Sequence, residues 1–164
     1  MTFRPLRDVA RGFRARERPS ERWISQLSGY RPDWNAYRVF SDSPDGLAEV
    51  DRAVEAGRAI SPMAGLTVSV KDVFGVRGFD SFGGTGRALP SYYEREGALV
   101  ARMRAFGAAF TGKTHTVEFA FGAIGRNDHW ATPANPRASA VVPGGSSSGA
   151  PASLLDGTAD LALG

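Results

Sequence analysis

The sequence contains no cysteine, which excludes disulfides and thiolate metal sites. It has only two histidines, His115 and His129. They are not spaced as a metal pair, and no Asp or Glu cluster completes one, so both read as structural or surface residues and no metal is expected. No apolar run approaches the length of a membrane span. The first residues, MTFRPLRDVARGFRARERPS, lack the apolar core of a secretory signal. They are rich in arginine but carry Asp8 and Glu17, which argues against a mitochondrial presequence. A cytoplasmic protein is the default expectation. No G-x-S-x-G elbow occurs, so a Ser-His-Asp triad has no local signature.

What is present fits one ordinary soluble domain. The chain has 164 residues, of which 42% are apolar and 23% charged, enough to bury a sizeable core. The net charge is +3, but the arginines crowd towards the N-terminus and no basic motif with interleaved aromatics follows. A solvated basic helix is the better reading than a nucleic-acid partner. Residues 1–28 are read as a helical, basic segment, with Phe3, Leu6, Val9 and Phe13 at helical spacing. SPDGLAEVDRAVEAGRAI predicts a helix through Leu47, Val50 and Val54, with turn residues in front of it. In GLTVSVKDVFGV, Leu66, Val68 and Val70 alternate with Thr67, Ser69 and Lys71, the period of a strand. REGALVARMRAFGA predicts an amphipathic helix through Leu99, Val100, Met103 and Phe106, stopped by Gly107. AAFTGK reads as a short buried strand, APASLLDG as a helix and ADLALG as another buried strand. Helices alternating with apolar strands argue for an α/β layered fold.

Three stretches carry possible chemistry. GAAFTGKT, Gly107 to Thr114, satisfies the phosphate-binding loop pattern. That loop needs a strand before its first glycine, whereas here a helix precedes Gly107 and the strand follows it, so nucleotide binding is not expected. Lys71 closes an apolar strand; burial there would lower its pKa and free a neutral amine to act as a base. The plain alternative is a strand-end lysine reaching water or paired with Asp72. VVPGGSSSGAPAS is too short and too closely followed by an apolar helix to be a flexible linker. Its serines, Ser146, Ser147 and Ser148, would cap that helix, or one would be held against a neutral lysine as in Ser-Lys catalytic pairs.

Lys71 and Ser146 together bring out a resemblance to the amidase signature family, running through most of residues 30–164. GLTVSVKDVFGVRGF resembles the strand that carries the family's basic lysine. GALVARMRAFGAAFTGKTHTVEFAFG resembles the following helix, strand and GKTN..EFA segment. NDHWATPANPRASAVVPGGSSSGA resembles the G.T.NP.....PGGSSGG stretch. Lys71 and Ser146 are about 75 positions apart, as are the family's lysine and bridging serine. The resemblance implies a mixed-sheet layered α/β fold, present here in about its N-terminal third, and no cofactor. It implies a Ser-Ser-Lys triad hydrolysing a small carboxamide through an acyl-enzyme, with Lys71 as base and Ser146, on an unusual cis peptide, as proton relay. Gly144 and Gly145 would allow the sharp turn, and Ser147 or Ser148 would orient Lys71. Phe119, Phe121 and Gly122 would contribute one wall of the acyl pocket, with plain core packing the alternative for the two phenylalanines.

Departures and limits belong to the same expectation. His115 stands where the family usually has asparagine, and SSSGAPAS replaces a more usual SSGGSAA. The family's nucleophile lies in a GTDTGGS segment about 24 positions after the bridging serine, which puts it about six residues beyond Gly164. Residues 29–164 are accordingly expected to be the N-terminal portion of an amidase domain that stops before the nucleophile, and residues 1–164 alone are expected to be inactive. The alternatives are the amidase subunit of a tRNA-dependent amidotransferase, or a non-catalytic remnant acting as an interaction protein. The expected partner is a small-molecule amide, with no nucleic acid and no membrane; a homodimer of the full-length protein is compatible with the resemblance.

Overall fold

The TVSV stretch organises the molecule. In a computed structural model, which describes residues 5–14, 17–58 and 60–164, the elements run α1 (Leu6–Arg14), α2 (Pro19–Leu27), β1 (Tyr37–Phe40), α3 (Leu47–Glu55), β2 (Thr67–Lys71), α4 (Ala98–Ala105), β3 (Ala109–Thr114), α5 (Ala150–Leu155) and β4 (Leu161–Leu163). Single 3-10 turns span Pro32–Trp34, Ser91–Glu94 and Glu118–Ala120. The sheet order is β1-β3-β2-β4. β2 runs parallel to both β3 and β4, and β1 runs antiparallel to β3, so the sheet is mixed. Among the described residues no helix is long and apolar enough to cross a membrane.

Alternation in β2 sorts its side chains between two layers, and all five residues are buried. Val68 and Val70 join Phe110 of β3, Val100 and Met103 of α4, and Val76 in the main apolar cluster. The opposite face is closed by hydroxyls rather than left to water. Ser69 Oγ lies 2.9 Å from Ser153 Oγ of α5, and Tyr37 Oη lies 2.8 Å from Thr158 Oγ1 and 3.1 Å from Thr111 Oγ1. Buried polar groups are tolerated when they find partners, and here hydroxyl pairs let a polar strand face pack against a helix.

α2 and α3 cover the sheet through a cluster of Trp23, Leu47 and Ala109, and Val9 of α1 packs on Leu66. Phe3 lies outside the described residues. Two sequence expectations need correction. In α4, Val100 and Met103 are buried, but Leu99 is 54% exposed and Phe106, just past the end of the helix, 44%, because a short helix turns only a narrow stripe to the sheet. Among the described residues β4 pairs only with β2, and its residues are partly exposed rather than buried. The layers leave the carboxyl ends of β2 and β3 side by side, the usual place for a ligand in sheets of this kind.

Candidate active site

Lys71 is the last residue of β2, locked in register opposite Thr114 of β3. Only 6% of it is exposed. Its Nζ donates to Ser146 Oγ at 2.6 Å, and burial lowers its pKa from the ordinary lysine value. The alternative pairing with Asp72 is not made. Asp72 is buried and turns instead to Lys113, whose Nζ lies 2.9 Å from Asp72 Oδ1 and 2.9 Å from Ser81 Oγ. Asp72 also accepts the Phe82 N–H at 3.2 Å. The carboxylate that would have held a proton on Lys71 is therefore Lys113's partner, and among the described residues Lys71 has no carboxylate against it.

Ser146 is presented by the glycine-rich loop. Gly144 has φ +80°, the left-handed region that favours glycine, and the Gly145–Ser146 peptide is cis. A Cβ at Gly145 would sit 2.8 Å from the Gly125 nitrogen and 3.0 Å from the Gly122 carbonyl oxygen, so the loop approaches that backbone as only glycine can. The loop is stitched to residues 115–117. The Ser146 carbonyl accepts from Val117 N–H at 3.3 Å, and the His115 carbonyl accepts from Gly149 N–H at 3.0 Å and Ser148 Oγ at 3.2 Å. These bonds hold the Ser146 hydroxyl over the end of β2.

The remaining candidates divide. Ser148 anchors the loop through His115 and makes no hydrogen bond to Lys71; Ser147 makes none to it either and lies beside Gly164. No serine caps α5, whose N-cap is Gly149 without a side-chain bond; Pro151 occupies its first turn. Gly122 reaches the loop through its carbonyl, whereas the rings of Phe119 and Phe121 are 63% and 95% exposed. Neither phenylalanine serves core packing among the described residues. Gly107 to Thr114 forms no phosphate loop: residues 109–114 are β3 itself, wholly buried, with the Lys113 amine committed to Asp72.

Sequence reading alone missed three features. His115 is buried, its Nε2 3.2 Å from Asn35 Oδ1, and burial with the nearby positive charge of Arg38 lowers its pKa to about 4. The Lys113–Asp72 pair was hidden inside the phosphate-loop pattern. Arg38, on a strand of only four residues, carried no signal in the sequence. Two clefts, one including Ser41, Arg77 and Phe110 and one between α2 and α5, do not reach Lys71.

Comparison with known proteins follows the same geometry. The family model described as Amidase matches residues 21–164. The 2-amino-5-chloromuconic acid deaminase of Comamonas testosteroni is 47% identical over 137 residues, 81% of this chain and 30% of that protein. A glutamyl-tRNA(Gln) amidotransferase subunit of Geobacter sulfurreducens is 37% identical over 135 residues, 79% of this chain and 27% of that protein. A crystal structure of an amidase superposes with a TM-score of 0.85 at 27% identity, covering 98% of this chain and 38% of its own. The chain thus spans about 30% of the length of the curated relatives it matches.

Proposed function

This chain belongs to the amidase family, and from that premise we propose that the complete protein carrying it hydrolyses the C–N bond of a small carboxamide, with Lys71 as base and Ser146 as proton relay. The observation that carries this reading is the 2.6 Å contact between the Lys71 amine and the Ser146 hydroxyl, made where no carboxylate pairs with the lysine. A neutral amine accepts the Ser146 proton while Ser146 accepts that of the nucleophilic serine, which the family resemblance places after Gly164. The nucleophile adds to the carbonyl, the proton returns through Ser146 to the departing nitrogen, and ammonia leaves. Water then cleaves the acyl ester by the same relay. Gly122, against the serine loop, and the exposed Phe119 and Phe121 are proposed as one wall of the acyl pocket.

The test is ammonia release by the complete protein from simple carboxamides, with 2-amino-5-chloromuconic acid beside them because of the 47% identical deaminase. Lys71→Ala and Ser146→Ala are each expected to lower kcat/KM by about two to four orders of magnitude, the usual worth of a positioned acid or base, with unchanged thermal melts. Full turnover in either variant removes the reading. The second reading, one component of an amidotransferase, is favoured by the 37% identity to the Geobacter sulfurreducens protein. It requires partner chains that co-purify and ammonia passed on rather than released.

A further inference from the structure

Arg38 is held in an unusual way. The register between β1 and β3 breaks between Tyr37 and Val39, and such a bulge re-aims the side chain at the break. The guanidinium carbon of Arg38 lies 3.7 Å from the centroid of the Phe82 ring and 3.6 Å from that of Trp130. The two rings meet edge to face at 79°, so the guanidinium is wedged in an aromatic corner. Both walls are themselves fixed. The Trp130 indole N–H donates to the Thr85 carbonyl at 2.9 Å, and the Phe82 N–H donates to Asp72.

Arg38 nevertheless has no anion. Its Nε is buried without a hydrogen-bond partner, and among the described residues no carboxylate or carbonyl accepts from its guanidinium. Asp72 and Asp80 are near enough to act on it through space, but Asp72 is spent on Lys113 and the Phe82 amide. Two aromatic rings fix the orientation of a cation without accepting its N–H donors, and those donors are built for bidentate recognition of a carboxylate. Arg38 is half-buried; a partly desolvated, unpaired charge carries a cost, and a ligand anion would offset it.

Its place connects it to the site. Tyr37 pairs with Thr114, and Thr114 pairs with Lys71, so Arg38 stands at the same end of the sheet, two strand spacings, about 10 Å, from the lysine. Phe82, one wall of the corner, is bonded to the residue after Lys71. We propose that Arg38 anchors a carboxylate carried by the substrate, so that the protein selects amides bearing a second, anionic end over neutral amides of the same length. Arg38 is then a specificity-determining residue; this rests on the amide-hydrolysis reading.

The experiment compares the complete protein on succinamate, glutaramate and adipamate with butyramide, valeramide and caproamide. The wild type is expected to prefer the best carboxylate amide over its neutral counterpart in kcat/KM by about tenfold or more, the worth of one charge-assisted bidentate contact. Arg38→Met is expected to erase most of that preference, through KM. Arg38→Lys, which keeps the charge and loses the fork, is expected to erase part of it and serves if the first variant does not fold. A wild type that prefers neutral amides overturns the proposal. So does a preference unchanged in Arg38→Met, the result if Arg38 pairs with a carboxylate of the complete protein instead.

Absence of ammonia from every amide would remove the hydrolysis reading and leave a separate arm to decide on Arg38. Calorimetric titration with adipate, which has nothing to hydrolyse, is expected to show binding about tenfold weaker in Arg38→Met. Equal affinity, or no binding to the wild type, overturns the anchor.

Discussion

At the scale of single residues, the site turns on how two basic side chains lose water. Lys71 is pushed towards the neutral amine by burial alone, since the nearest carboxylate is engaged elsewhere. The pH profile of kcat/KM in the complete protein should therefore rise and reach its plateau below pH 10.5, the ordinary lysine value. A plateau reached only above that value would show a solvated Lys71. His115 makes the opposite kind of prediction, about stability. Its folded-state pKa of about 4 lies below the ordinary 6.5, so between those values the unfolded chain takes up a proton that the folded chain refuses. Stability is fully present above pH 6.5, is lost as pH falls towards 4, and changes no further below that through this group. The shift corresponds to about 3 kcal/mol at most. His115→Asn, the residue usual in the family, should remove this part of the acid sensitivity; the check is the difference between wild-type and variant urea midpoints from pH 7 to 5. Lys71 and Ser146 were legible in the sequence because their spacing and flanking motifs survive translation into one dimension. Arg38 was not, since its meaning comes from rings at positions 82 and 130 brought to it by the fold.

At the scale of elements, β2 and β3 show what patterning can and cannot say. Alternation in TVSV identified β2, but it did not reveal that both faces are buried; that depends on Ser153 and Asp160, far along the chain, pairing with Ser69 and Thr67. GAAFTGKT was correctly separated from a phosphate loop by the helix before it, yet the use made of Lys113 was invisible. Lys113 and Asp72 are 0% and 1% exposed at their side chains, and removing one member of a buried pair leaves an uncompensated charge. Lys113→Ala is expected to destabilise the complete protein by about 3–5 kcal/mol, read from urea unfolding, and Lys113→Ala with Asp72→Ala should recover part of the loss. A single variant as stable as wild type would show that the pair contributes nothing. β1 could not be read at all. Four residues give no usable period, and YRVF becomes a strand by pairing with β3, whose residues lie more than 70 positions away.

At the scale of the whole molecule, the ends of the described chain are tied together beneath the sheet. Arg22 of α2 donates to Asp160 at 2.7 Å through one nitrogen and to the Gly65 carbonyl at 2.6 Å through another, with both charged side chains 5% exposed. Asp160 also accepts from the Thr67 amide and hydroxyl at 2.9 Å, so one carboxylate joins α2, β2 and the lead-in to β4. Arg22→Ala should cost about 3–5 kcal/mol and lower the melting temperature of the complete protein; a shift within error would show the tie to be idle. The strand order has a further consequence, for synthesis. β2 leaves the ribosome first among the three parallel strands, and its two neighbours are β3 and β4, the latter ending at Leu163. At about 5–20 residues per second, the wait from Lys71 to Leu163 is roughly 5–20 s. Throughout that interval a β-prone stretch, TVSV, carries at least one open edge. Its hydroxyl face has no helix against it until α5 is made, so in nascent chains that edge and that face stay open until β4 arrives.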